Sequence, residues 1–96
     1  SLDFSETIVA GPYHPAFGHL VHSEIFFDKA VAELATERAP IHKTVFFVHP
    51  SSISKMRGLK NANIKRLKTL FHIDSIELIQ DDTLSEDTFR LKVFRQ

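Results

Sequence analysis

Six cations, Lys55, Arg57, Lys60, Lys65, Arg66 and Lys68, fall within fourteen residues of one another and bracket the stretch Gly58-Leu59-Lys60-Asn61. The chemistry open to such a segment is phosphate binding. Lys and Arg side chains neutralise a polyanion, and the free backbone N–H groups at a helix N-terminus add donors to it. Contacts of this kind supply affinity and leave sequence unread. The residues that would make them are Lys55, Arg57, Gly58, Leu59, Lys60, Asn61, Lys65, Arg66 and Lys68. The competing reading of the same residues is a solvated helix face whose charges serve solubility alone.

Other chemistries find less support. His14, His19 and His22 have the spacing H-x4-H-x2-H, which puts His19 and His22 on one helix face. A metal could use them, but no fourth ligand stands at a familiar spacing and Glu24 is the only near carboxylate. They are read as incidental, and no tightly bound zinc or iron is expected. His42, His49 and His72 sit at element ends with no pairing evident. No serine lies in a G-x-S-x-G setting. The only glycines are Gly11, Gly18 and Gly58, so dinucleotide and P-loop fingerprints are absent. Cysteine is absent too, which excludes disulfides, thiolate zinc sites and cysteine-held iron–sulfur clusters in this chain. No catalytic residue is assigned, and the chain is read as non-enzymatic.

The net charge of zero conceals segregation. Residues 1–37 carry six acids and one base, residues 38–73 eight bases and no acid, and residues 74–87 six acids and no base. The basic block coincides with the candidate phosphate-binding stretch. Ninety-six residues with 43% hydrophobic and 25% charged content suit one globular domain, with nine Phe and no Trp to build its core. No signal peptide or long apolar run is evident. The chain starts Ser-Leu and stops at Val-Phe-Arg-Gln, and is read as a piece of a longer protein.

The elements that must position the basic residues follow from periodicity. Ile8-Val9-Ala10, stopped by Gly11-Pro12, predicts a short strand or extended lead-in. Leu20, Phe27, Val31 and Leu34, with Ile25 beside them, predict a helix over about 16–37, led by Pro15, with a fray or break near Gly18 or Ser23 and a stop at Pro40. Lys43 to His49 reads as a strand with both faces at least partly covered, ended by Pro50. Ser51 or Ser52 would cap a helix over about 51–57 carrying Ile53 and Met56. Ile64, Leu67 and Phe71 define a second helix, over 62–71, which Asn61 or Asn63 would cap. The break between them starts with Gly and ends with Asn, the types that best tolerate positive φ. Residues 75–80 read as a strand, 81–87 as an acidic loop, and 88–95 as a strand alternating Phe89, Leu91 and Val93 against Thr88, Arg90 and Lys92. The loop would make these last two strands a hairpin. Ile53, Ile64, Leu67, Phe71, Phe47, Leu78, Phe89 and Leu91 are the predicted core.

Strand, helix, turn, helix, strand with GxxG at the turn resembles the core of a KH domain, whose loop clamps a nucleic-acid backbone. The loop here reads GLKN, with Asn61 where the second Gly of that motif stands. The expected fold is therefore α+β. A KH-like β-α-α-β-β core (41–96) follows a lead-in and N-terminal helix (1–40), with helices on one face of a three-stranded sheet, all in a single domain. A wider resemblance rests on GPYHPAFGHLVHSEIFFDKA (Gly11 to Ala30) together with VHPSSISKMRGLKNANIKRLK. These look like the C-terminal region that follows the catalytic barrel in bacterial radical SAM proteins, relatives of the elongator catalytic subunit. Some of these carry a loose label as oxygen-independent coproporphyrinogen III oxidase-like. The resemblance implies a cytoplasmic parent enzyme with a [4Fe–4S] cluster that cleaves S-adenosylmethionine, both cofactors lying outside this cysteine-free chain. It implies an accessory role here, with the barrel of the same chain as one partner and RNA, tRNA among the candidates, as another. The alternative is an interaction domain that packs on the barrel or on a second subunit without touching RNA.

Overall fold

The computed structural model describes residues 15–95, with side chains described from 21 onward. The lead-in strand at Ile8-Val9-Ala10 and the side chains of His14, His19 and Leu20 lie outside the described residues. The elements are α1 (Pro15–Leu34), β1 (Ile41–Val48), α2 (Ile53–Arg57), α3 (Ala62–Phe71), β2 (Ser75–Gln80) and β3 (Phe89–Arg95), with single 3-10 turns at Pro50–Ser52 and Leu59–Asn61. The fold is α+β, a helix followed by β-α-α-β-β.

Helix α1 starts at Pro15, whose fixed φ suits a first turn and whose missing N–H has no helical partner to lose. It runs unbroken through Gly18 and Ser23. It stops at Leu34, before the expected 37, because Leu34 is its last core residue and i→i−3 bonds from Thr36 N–H and Glu37 N–H tighten the chain there. The Thr36 hydroxyl also donates to the Glu33 carbonyl at 2.7 Å. Its buried stripe is Ser23, Phe26, Phe27, Ala30 and Leu34, while Ile25 points outward.

The sheet corrects one expectation. Strands β2 and β3 do not form a hairpin; the order is β2-β1-β3, with β1 parallel to β2 and antiparallel to β3. The physical reason lies in β1, the one strand apolar on both faces, which gains most from the central position. The half-polar strands take the edges. The 81–88 loop therefore crosses the end of β1, anchored by Asp81 N–H on the Val48 carbonyl at 2.8 Å.

One sheet face meets the helices. Thr44, Phe46 and Val48 of β1 point into a core shared with Phe26, Phe27, Ala30, Leu34, Ile41, Met56, Leu67 and Ile73. Phe89 closes it, edge-on to Phe46 at 5.3 Å between centroids. Of the predicted core, Leu67 is fully buried, and Ile53, Phe71, Leu78, Phe89 and Leu91 pack partly buried against it. Phe47 and Ile64 depart from expectation. The run Phe46-Phe47 offers no alternation to say which ring faces inward, and the register puts Phe46 there. Helix α3 buries Asn63 and Leu67, which leaves Ile64 half-buried at its margin.

The other sheet face carries no element of the described residues. Its register rows are Ile79–Phe47–Arg90, Glu77–Val45–Lys92 and Ser75–Lys43–Phe94.

Candidate nucleic-acid interface

The connection between α2 and α3 is built from left-handed residues. Gly58 has φ 82°, and Lys60 and Asn61 follow at 54° and 63°. Gly58 caps α2 with its N–H on the Ser54 carbonyl at 3.0 Å, and Asn61 N–H returns to the Gly58 carbonyl at 3.1 Å. A side chain at Gly58 has no room: a Cβ there would stand 2.8 Å from the backbone N of Asn63. Gly58 is thus required twice, by conformation and by space. Two adjacent non-glycine residues at positive φ are uncommon. Asn is among the residues that accept it best.

Asn63 holds this turn in place. Neither it nor Asn61 caps α3 through its side chain, contrary to expectation. The Asn63 amide is instead buried and points away from the helix. Its Nδ2 donates to the Ser23 carbonyl of α1 at 2.8 Å, to Met56 O at 3.2 Å and, at 3.4 Å, to Lys55 O. Two hydrogens serve three carbonyls, so one is shared. One side chain therefore closes the end of α2, starts α3 and ties both to α1. Asn63→Ala should lower stability by about 1–3 kcal/mol, because buried carbonyls lose their donor. Asn63→Asp, the same shape with no donor, should cost at least as much. Urea midpoints check this, and a wild-type midpoint for Asn63→Asp would show the amide is idle. The sequence marked Asn63 only as a cap, since an Asn within a helical pattern does not reveal which carbonyls it will meet.

The nine candidate residues fall into two groups. Leu59, Lys60 and Asn61 form the exposed turn, with Leu59 62% exposed. Asn61, Lys65 and Lys68 continue as an exposed stripe along α3, and Arg57 stands exposed where α2 ends. The others are committed. Gly58 is buried. Lys55 is half-buried in a cleft shared with His22, Phe26, Glu86 and Asp87. Arg66 donates to Glu24 Oε1 at 3.2 Å and lies 3.7 Å over the Phe27 ring. Arg66 fastens α3 to α1, and it lines a shallow groove with Phe27, Lys65, Thr69 and Leu70.

The 81–88 loop is used structurally. Ser52, read as a cap, donates instead to the Glu86 carbonyl at 2.7 Å, and Lys29 donates to the Asp87 carbonyl at 2.8 Å. No side chain caps α2; His49 instead caps the 3-10 turn before it, its Nδ1 accepting from Ser51 N–H at 3.0 Å. Asp81 accepts from the Thr83 hydroxyl at 2.6 Å and from Thr83 N–H at 3.0 Å, and pairs with Arg90 at 3.0 Å. The Thr83 hydroxyl, then its N–H, then Arg90 hold the Asp81 carboxyl below the usual carboxylate range.

The acids therefore go mostly elsewhere than the turn. Asp74 meets His42 at 2.7 Å, a pairing the sequence did not show, Glu77 meets Lys43 at 3.2 Å, and Glu37 meets Arg95. Among the described residues, Arg57, Lys60, Lys65 and Lys68 have no carboxylate partner. No group of three or more His, Asp or Glu side chains is disposed to hold a metal among the described residues, and no helix there is long and apolar enough to cross a membrane. The chain has no cysteine, so its residues do not fit an iron–sulfur cluster. Comparison with protein-family models, with curated proteins and with solved structures finds no match for this chain.

Proposed function

We propose that this domain is a non-catalytic RNA-binding module, contacting the phosphate backbone through the GLKN turn and the exposed face of α3. The observation that carries this reading is the distribution of ion pairs. On the sheet Lys43, Arg90 and Arg95, and Arg66 against α1, have carboxylate partners, whereas Arg57, Lys60, Lys65 and Lys68, clustered around the turn, have none among the described residues. Unneutralised charge clustered on a rigid turn draws a polyanion. Asn61 in place of glycine adds a side chain where a backbone could otherwise approach, so side-chain charge carries more of the affinity than backbone N–H groups do. Recognition is correspondingly indifferent to sequence, as suits contact with the backbone of a folded RNA such as tRNA.

By its resemblance over Gly11 to Ala30 and over the α2–α3 segment, the domain is the accessory C-terminal module of a radical SAM enzyme, presenting RNA to a barrel elsewhere in the parent chain. A second reading, docking to that barrel or to another subunit, draws on Ile25 and Leu70, which stand 46% and 55% exposed on the helical side.

The salt dependence of RNA binding tests the first reading. With Arg57, Lys60, Lys65 and Lys68 each neutralising one phosphate, the log–log slope of affinity against salt should be about −3, at roughly −0.7 per contact for a single strand. A slope near zero would remove the electrostatic basis of the proposal.

A further inference from the structure

We propose a second nucleic-acid contact on the opposite side of the domain, where the open sheet face binds a single strand by stacking its bases on Phe47 and Phe94. This shares its ligand class with the turn but none of its residues. Phe94 is 38% exposed and Phe47 half-buried, on the face that no described element covers. One exposed and one half-buried phenylalanine are unusual on a solvated sheet face, and each is attended by cations. The Arg90 guanidinium lies 4.6 Å from the Phe47 centroid, and the ammonium groups of Lys92 and Lys43 lie 5.2 and 5.8 Å from that of Phe94.

Charge complementarity selects the occupant. Lys43, Arg90 and Lys92 project from this face, three cations against the two carboxylates of Glu77 and Asp81. Lys43 is paired with Glu77 and Arg90 with Asp81, which leaves Lys92 without a carboxylate among the described residues. The ligand must bring negative charge together with flat, π-rich surface. A single-stranded nucleic acid brings both: bases stack on aromatic rings and guanidinium planes while phosphates meet the lysines. Phe47 and Phe94 sit in the first and third register rows, on neighbouring strands, so they would take non-adjacent bases with Lys92 between them. Sequence preference would be slight, because every base has a π-face.

The test titrates the full 96-residue chain with labelled oligouridine and with an abasic strand of equal length at low salt. The variants are Phe94→Ala, Lys92→Glu and Lys60→Asp/Asn61→Asp, each checked for a wild-type circular dichroism spectrum. Phe94→Ala should weaken oligouridine binding by about five- to a hundredfold and leave abasic binding nearly unchanged, as loss of one stacking platform does. Lys92→Glu, a surface change that spares folding, should weaken both ligands. Loss of binding in the sheet variants with full binding in the turn variant would uphold the sheet and sink the turn. The reverse pattern would overturn the sheet and leave the turn standing, and absence of any oligouridine binding by wild type would overturn both. Equal loss of oligouridine and abasic binding in Phe94→Ala would overturn stacking. So would polyglutamate binding that falls equally in that variant, which would assign the face to an acidic protein segment. A wild-type dimer that Phe94→Ala converts to monomer would overturn it in favour of self-association.

Discussion

Leu67→Ala should destabilise the domain by about 2–5 kcal/mol, the range for truncating a fully buried leucine. Leu67 has no exposed surface and belongs to the same buried core cluster as Met56 and the β1 residues Phe46 and Val48. Its loss removes transfer free energy and leaves a cavity that close-packed neighbours fill poorly. Domains of this size are stable by roughly 5–15 kcal/mol, so the change is a large share of the whole. Leu70→Ala, on the same helix but 55% exposed, should shift stability by no more than about 0.5 kcal/mol. Urea unfolding of the two variants side by side checks the burial of α3. Similar midpoints for both would mean that α3 does not pack as described.

How much of this was legible in the sequence depended on how local the signal was. Helix α3 and strand β2 appear within the bounds that periodicity predicts, and β3 within one residue, because Leu67 with Phe71, and Phe89 with Leu91 and Val93, mark their buried faces by spacing alone. The pairing of strands was not legible. A loop of acidic and turn-forming residues between two strands suggests a hairpin, and only the competition for the central position, which β1 wins by being apolar on both faces, separates them. Phe46 and Phe47 are indistinguishable in sequence, and register decides which enters the core. The candidate site shows the same division. Positive φ at Gly58 and Asn61 follows from residue type, while nothing in a lysine marks Lys60 for the same conformation. Arg66 counted with the free cations in sequence, and Glu24 and Phe27, forty residues away, withdraw it. Asn63 needed three carbonyls from two helices to show its purpose. The aromatic and basic sheet face was half visible, in the outward alternation of Arg90 and Lys92. Its phenylalanines were not, because Phe47 looked like core.

The second large effect is on binding. Lys60→Asp with Asn61→Asp puts two carboxylates where a phosphate would sit and removes one cation, leaving the Leu67 side of α3 untouched. Folding should not suffer. Both positions are exposed, and Asp tolerates the left-handed conformation about as well as Asn and better than Lys. Two acids at the start of α3 also favour its dipole, by about 0.3–1 kcal/mol each where the geometry allows. The variant should therefore be as stable as wild type or slightly more so, while RNA affinity at low salt drops by about tenfold or more as phosphate contacts turn repulsive. Opposite signs for stability and binding separate a ligand surface from a structural turn.

The most direct measurement is a low-salt titration of tRNA into wild type and this double variant, with urea midpoints recorded for both. Binding by wild type, lost in a variant of equal or greater stability, is the predicted result. Absence of tRNA binding by wild type, or equal affinity in the two proteins, would contradict an RNA-binding role for the turn.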